Sequence, residues 1–182
     1  MKEHDPRAIL AAFAEAVADL LQDTDLVRAK PEEISITTDL AMKMGPYFPE
    51  WRVSPEWTRR EDEEKRLSWD DEEGKRRLKK IRPDIIVHHM HRQDENLLVV
   101  EAKRVQNTDF EDDIRKLILM TLEVSVDPSY HYGYVVGLHF VIDLPARAVT
   151  RADVYRRGAI DGALTSQFRK HLDTIIQNRA AA

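Results

Sequence analysis

The segment Leu97-Leu98-Val99-Val100 is apolar at four consecutive positions and then ends abruptly in Glu101-Ala102-Lys103. Side chains alternate between the two faces of a strand, so a run that is apolar at both parities needs cover on both sides. An earlier apolar run, Ile85-Ile86-Val87, is followed by the polar turn Arg92-Gln93-Asp94-Glu95-Asn96, and the two runs read together as an antiparallel hairpin. A chain with such a strand at its centre is committed to a sheet with helices packed on it.

The flanking segments supply those helices. Asp5 as N-cap and Pro6 at the first helical position open an amphipathic helix over 5–22, with Ile9, Leu10, Phe13, Val17, Leu20 and Leu21 on one stripe. Pro31, Glu32 and Glu33 read as the first turn of a second helix that runs to about Met44, where Gly45 and Pro46 stop it. Trp51, Val53 and Trp57 suggest a strand that Pro55 confines to an edge or a bulge. After the hairpin, Thr108 and Glu111 form a capping box for a helix that buries Phe110, Ile114, Leu117, Ile118 and Leu122. A strand from Tyr134 to Ile142, a short strand around Val149 to Tyr155, and a last helix over about 160–177 using Phe168, Leu172, Ile175 and Ile176 complete the chain. One α/β domain over 1–182 is expected, with its core at about 31–142.

Charge is distributed unevenly. Residues 61–73 carry eight acids against Lys65 and Arg66, a local balance of −6, which leaves +1 for the rest of a chain whose formal charge is −5. Lys75, Arg76, Arg77, Lys79, Lys80 and Arg82 follow directly. They read either as a phosphate-binding surface or as a solvated loop whose opposite charges pair with one another. There is no cysteine, so disulfides, thiolate metal sites and cysteine nucleophiles are excluded, and any metal must be held by oxygen or imidazole. No apolar run approaches the ~20 residues of a membrane span, and the opening MKEHDPRAIL has no signal-like pattern; a cytoplasmic protein without membrane contact is expected.

The chemistry lies at the end of the hairpin opposite its turn. Glu101 and Lys103 share one face of their strand, Ala102 points to the other, and Asp84 at the start of the neighbouring strand comes within reach of Glu101 if the pair is antiparallel. Burying such charges costs several kcal/mol each by order of magnitude, so this strand end calls for an ion pair or a metal. Two carboxylates and water offer hard oxygen ligands for Mg²⁺ or Mn²⁺, and a lysine beside them can orient a water or stabilise a pentacovalent phosphate.

Pro83-Asp84 followed by Glu101-Ala102-Lys103 at the end of an apolar strand resembles the PD-(D/E)XK nuclease superfamily. The resemblance spans roughly the central two-thirds of the chain. It implies a restriction-endonuclease-like core of a helix, a three-stranded mixed or antiparallel sheet, a helix and a further strand, here with extra N- and C-terminal helices. It also implies a metal-dependent nuclease, with DNA favoured over RNA, in which Asp84 and Glu101 are metal ligands, the Ala102 carbonyl completes the coordination, and Lys103 attends the attacking water. Members use a further acid from the preceding helix. Glu33 is the choice, because Phe48-Pro49-Glu50-Trp51-Arg52-Val53 resembles a stretch that follows that acid in bacterial members; Glu15 and Glu56 compete. Many members add a polar residue from the helix after the Glu-x-Lys strand, and Lys116 matches, with Asp113 one turn earlier; a plain surface pair is the other reading. Lys75, Arg76, Lys79, Lys80, Arg82 and Lys116 are the candidate substrate-binding residues.

His88, His89 and His91 lack further zinc ligands at a suitable spacing and read as polar residues near the hairpin turn. Tyr130, Tyr132 and Tyr134 suit either base stacking or a strand edge. No phosphate-binding glycine loop is present. The competing functional class is an inactive module of the same fold, acting by binding or assembly in a defence or repair complex. A homodimer built on the first or last helix is compatible with the sequence.

Overall fold

A computed structural model describes residues 4–60, 63–90, 92 and 95–181. Helix α1 (Pro6–Gln22) starts where expected: the Asp5 carboxylate accepts from the Arg7 N–H, and Pro6 occupies the first turn. A short helix that the sequence reading did not anticipate, α2 (Thr24–Ala29), follows at once, capped by Asp23. Helix α3 (Glu33–Met44) begins two residues later than Pro31.

The chain then enters strand β1 (Arg52–Pro55) and two small hairpins, β2 (Arg59–Arg60) with β3 (Glu63–Glu64) and β4 (Arg66–Asp70) with β5 (Arg76–Lys80). These hairpins make up the charged stretch. Strands β6 (Ile85–His88) and β7 (Asn96–Arg104) pair antiparallel, as the two apolar runs predict, with Ile85 opposite Val100. Within their connection, His91, Gln93 and Asp94 lie outside the described residues, as do Glu61 and Asp62 of the acidic stretch. Helix α4 (Glu111–Met120) crosses over to β8 (Val136–Asp143), which therefore runs parallel to β7. Strands β9 (Ala148–Arg156) and β10 (Ala159–Ile160) and helix α5 (Gly162–Ala180) complete the chain.

The result is an α/β fold with a mixed six-stranded sheet, ordered β1-β6-β7-β8-β9-β10, in place of the expected three strands and one more. The sheet extends past residue 142 because β9 is a full nine-residue strand along β8. Without β9, the fully buried β8 would be a bare edge. Pro55 sits on the outermost strand, where its missing N–H costs no ladder bond. The expected capping box of Thr108 and Glu111 does not form: Glu111 is the first helical residue, and Phe110 precedes it without a side-chain cap. Phe110 and Leu122 consequently flank α4, and its buried positions are Asp113, Leu117 and Met120.

Two cores explain why β7 is apolar at both parities. Leu98, Val100 and Ala102 join Phe13, Leu40 and Phe168 of α1, α3 and α5 on one face. Val99 joins Leu117 and Met120 of α4 and Leu67 of the β4–β5 hairpin on the other. Gly137 on β8 lets α4 lie close, since a Cβ there would meet Thr121 at 2.9 Å and Leu117 at 3.3 Å. The apolar faces of α1 and α5 pack within this chain, and Arg179 of α5 pairs with Glu15 and Asp19 of α1. Among the described residues, no helix is long and apolar enough to cross a membrane.

Candidate active site

Alternation along β7 puts Val99, Glu101 and Lys103 on the α4 face, so the strand passes from packed apolar side chains to buried charge within two residues. Glu101 is completely buried. Asp84 stands just before β6, one register step from the Ile85–Val100 pair, and its carboxylate accepts from the Ala102 N–H at 2.7 Å. That bond fixes Asp84 beside the end of β7, while the Ala102 side chain packs into the opposite core.

Helix α4 supplies the facing charges. Asp113 and Lys116 lie one turn apart, and Lys116 Nζ contacts Glu101 Oε2 and Asp113 Oδ1, the latter at 2.9 Å. Lys103 Nζ lies between Glu33 Oε1 at 2.9 Å and Asp113 Oδ2 at 3.2 Å. The second Glu33 oxygen accepts from the Arg104 N–H at 3.2 Å. The charges thus alternate from Glu33 through Lys103, Asp113 and Lys116 to Glu101. The structure brings Asp84, Glu101, Lys103, Glu33 and Lys116 together and adds Asp113, which is buried and belongs to no surface pair. Glu15 is instead held by Arg179, and Glu56 by Arg82.

Burial governs the electrostatics. It pushes the Asp84 carboxyl up to about 6, against the opposing pull of the Ala102 N–H and the two lysines. Burial and then the Asp84 charge hold Glu101 well above the ordinary carboxylate range, with Lys116 only partly offsetting them. For Lys103, burial acts downward, but the Glu33 bond and the Asp113 and Asp84 charges outweigh it and keep the ammonium protonated. Lys116 is likewise held up by Glu101 and Asp113 against its burial. Asp113 stays below its usual value because Lys116 and Lys103 overcome its desolvation.

His139, which the sequence reading passed over inside an apolar strand, stands opposite Glu101 in the β7–β8 register and opposite Asp153 on β9. It is fully buried, neither ring nitrogen has a hydrogen-bond partner among the described residues, and the Phe110 ring lies 4.8 Å away. Burial and the Arg151 charge push it down to about 4, so it is neutral at physiological pH. The signal for it was parity with Glu101 across two neighbouring strands, which requires a register the sequence does not state.

From Arg76 onward the basic run lies on β5 and just beyond it, and these charges pair with nearby acids. Arg76 bonds Asp70, Arg77 bonds Asp71, Lys80 bonds Glu64, Lys79 bonds Asp112, and Arg82 bonds Glu56. Lys79, Lys80 and Arg82, with Arg115 and Lys116 of α4, line a cleft of about 210 Å³ whose apolar part includes Leu67, Trp69 and Ile81. The cleft reaches Asp113 and Lys116 and so abuts the charged group. Lys75 and Arg76, expected to bind substrate, do not line it, because they sit toward the tip of the hairpin, with Arg76 turned to Asp70.

The remaining candidates have other partners. His88 is buried with Ser54 Oγ at 3.3 Å, and His89 stacks on Trp51 at 4.2 Å; His91 lies outside the described residues. Tyr134 accepts a bond from Lys65 at 3.1 Å, and the Tyr132 hydroxyl bonds the Arg66 backbone, so both are buried anchors for the β4–β5 hairpin.

Among the described residues, no three His, Asp or Glu side chains converge into a ready ligand group; lysine ammoniums stand among the carboxylates. The donor chemistry nonetheless suits a hard cation. Glu101 Oε1 is a buried carboxylate oxygen with no hydrogen-bond donor among the described residues, and the Asp84 carboxylate adds charge beside it. No family model matches this chain, and neither does any curated protein or solved structure.

Proposed function

We propose that this chain is a metal-dependent nuclease that hydrolyses phosphodiester bonds, with DNA the favoured substrate. The observation that carries the reading is the fully buried Glu101, with one oxygen that meets no donor among the described residues, placed beside Asp84 and Lys103 at the end of a central strand. A purely structural ion-pair network has no use for an unsatisfied carboxylate oxygen, which costs about 1–3 kcal/mol or more when buried. The order α3, β1, β6, β7, α4, β8 supports a restriction-endonuclease-like core within the larger sheet, with the two charged hairpins as an insertion between β1 and β6.

Asp84, Glu101 and the Ala102 carbonyl would hold Mg²⁺ or Mn²⁺, and Glu33, whose oxygens meet the Lys103 ammonium and the Arg104 N–H, would exchange one of these bonds to take a second ion or a bound water. When bound, such an ion supplies an activated water and charge neutralisation at the scissile phosphate. The chain's own residues do the rest. Lys103, kept protonated and aimed by Glu33, donates to the phosphate oxygen on which charge develops. Lys116 gives up its contact with Glu101 and turns toward the backbone of the substrate, leaving Asp113 to hold Lys103 in place. Lys79, Lys80 and Arg82 bind flanking phosphates along the cleft.

A second reading is favoured by the closure of the charge network, in which both lysines already bridge two carboxylates. In that reading the fold is an inactive binding or assembly module. Cleavage of labelled plasmid and single-stranded DNA with Mg²⁺, Mn²⁺ or EDTA, beside Asp84→Ala and Lys103→Ala, separates the two. Metal-dependent cutting that both substitutions abolish supports the nuclease; DNA and RNA left intact under every condition supports the module.

A further inference from the structure

We infer that the cleft between α4 and the β4–β5 hairpin binds a single nucleic-acid strand, with Trp69 as its stacking platform, and that the site it serves acts on single-stranded segments or ends and not on the interior of a duplex. This rests on the nuclease reading for its chemistry but on separate residues for its geometry.

Size comes first. At about 210 Å³, the cleft lies below the roughly 300–1,000 Å³ of sites that enclose a drug-sized molecule, so what it can seat is a single base, with sugar and phosphate left at its rim. One wall is tied to the other, since Lys79 Nζ of the hairpin lies 2.7 Å from Asp112 of α4.

Chemistry comes second. Lys80 and Arg82 from the hairpin side and Arg115 and Lys116 from the helix offer cations to a cleft that also reaches Asp113, where it meets the catalytic group. The pairings of Lys80, Arg82 and Arg115 with Glu64, Glu56, Asp112 and Glu111 are at exposed or half-exposed positions, where a competing phosphate displaces a carboxylate at little cost, whereas Lys116 is held by the buried Glu101 and Asp113. The half-buried indole of Trp69 lines the same cleft, with the Arg115 guanidinium over its ring, 5.6 Å from the ring centre, where a base would take its place. An aromatic ring among cations is the pattern of proteins that grip single strands, where backbone charge and base stacking act together. Paired bases inside a duplex keep their faces stacked on each other and cannot use such a platform.

The test is fluorescence anisotropy of the full-length protein in EDTA, which separates binding from cleavage, using one labelled oligonucleotide as a single strand and as a blunt duplex. Tighter binding of the single strand is expected. Trp69→Leu, which keeps an apolar filler but removes the π face, is expected to weaken it about tenfold, within the range of base stacking, while Trp69→Phe retains most of the affinity. Thermal melts of both variants establish that they fold. Equal or tighter binding of the duplex, or a folded Trp69→Leu protein with unchanged single-strand affinity, overturns the inference and leaves the nuclease reading standing. Single-strand preference with loss in Trp69→Leu, but no cleavage in Mg²⁺, supports the single-strand cleft and overturns both the nuclease reading and the action on single strands drawn from it.

Discussion

The ammonium of Lys116 rests on one oxygen of the Glu101 carboxylate, and the other oxygen, Oε1, meets no hydrogen-bond donor among the described residues. Lys116 is thus the chief internal counter-charge of a carboxylate that is completely buried. Lys116→Gln should destabilise the metal-free protein at neutral pH by less than the ~3–5 kcal/mol of an orphaned buried charge, because Glu101, already pushed up by burial, takes a proton once its lysine is gone. Added Mg²⁺ should restore more stability to Lys116→Gln than it adds to the native protein. Urea unfolding with and without Mg²⁺ measures both; equal gains in the two proteins would argue against a cation at Glu101.

Asp84 carries a pH signature. Its folded value of about 6 lies above the ordinary 3.8, so the folded state keeps a proton that the unfolded chain has lost. The contribution is fully present below about pH 4 and is lost as pH rises through 6. By this group alone, stability falls by about 3 kcal/mol across that window. Asp84→Asn, which keeps an oxygen for the Ala102 N–H, should flatten this part of the stability profile in EDTA and be the more stable protein at pH 7. Denaturant titrations at stepped pH check it, and an unchanged slope in Asp84→Asn would refute the assignment.

Lys103 and Glu33 should separate in kinetics. In the proposed nuclease, Lys103→Met would remove a donor to the developing charge and should lower kcat about 10²–10³-fold with KM little altered. Glu33→Gln keeps a hydrogen-bonding side chain at Lys103 and the Arg104 N–H but loses the charge that aims the ammonium, and a smaller fall in kcat is expected. Steady-state cleavage of one oligonucleotide by both variants decides the order; a larger loss in Glu33→Gln would make Glu33 more than a positioning residue.

Gly137 links the sheet to the site. A methyl group at this position would press on Thr121, Leu117 and the Tyr155 Cβ, and so lift α4 from β8. Gly137→Ala should cost about 1–3 kcal/mol in stability. It should also depress activity, because Asp113 and Lys116 ride on the same helix. A thermal melt and a cleavage assay on the same preparation test both, and full activity in a destabilised variant would show that the helix can shift without disturbing the charges.

Much of this arrangement can be read along the chain. The apolar parity of Leu97 to Val100 requires cover on both faces, and two cores supply it. Period-two alternation puts Glu101 and Lys103 on one face whatever the rest of the fold does, and the antiparallel hairpin delivers Asp84 to the same end. Less was legible where the signal is not local. The capping box at Thr108 was a pattern without a structure, since α4 starts at Glu111 to place Asp113 and Lys116 over β7. The basic run divided into cleft residues and hairpin-tip residues, a distinction that depends on where β5 meets α4.

By itself, then, the sequence determined an α/β sheet with a doubly buried central strand that ends in paired charges, because apolar parity and alternation are properties of neighbours in the chain. Only the tertiary structure decided that Lys116 serves Glu101, that Asp113 joins both lysines, that Glu33 and not Glu15 or Glu56 reaches Lys103, and that His139 lies beside the carboxylates. Charges at helical spacing look alike on any helix. Which of them become partners is set by how closely α4 and α3 pack on the sheet, and that distance is fixed by contacts far apart in the chain.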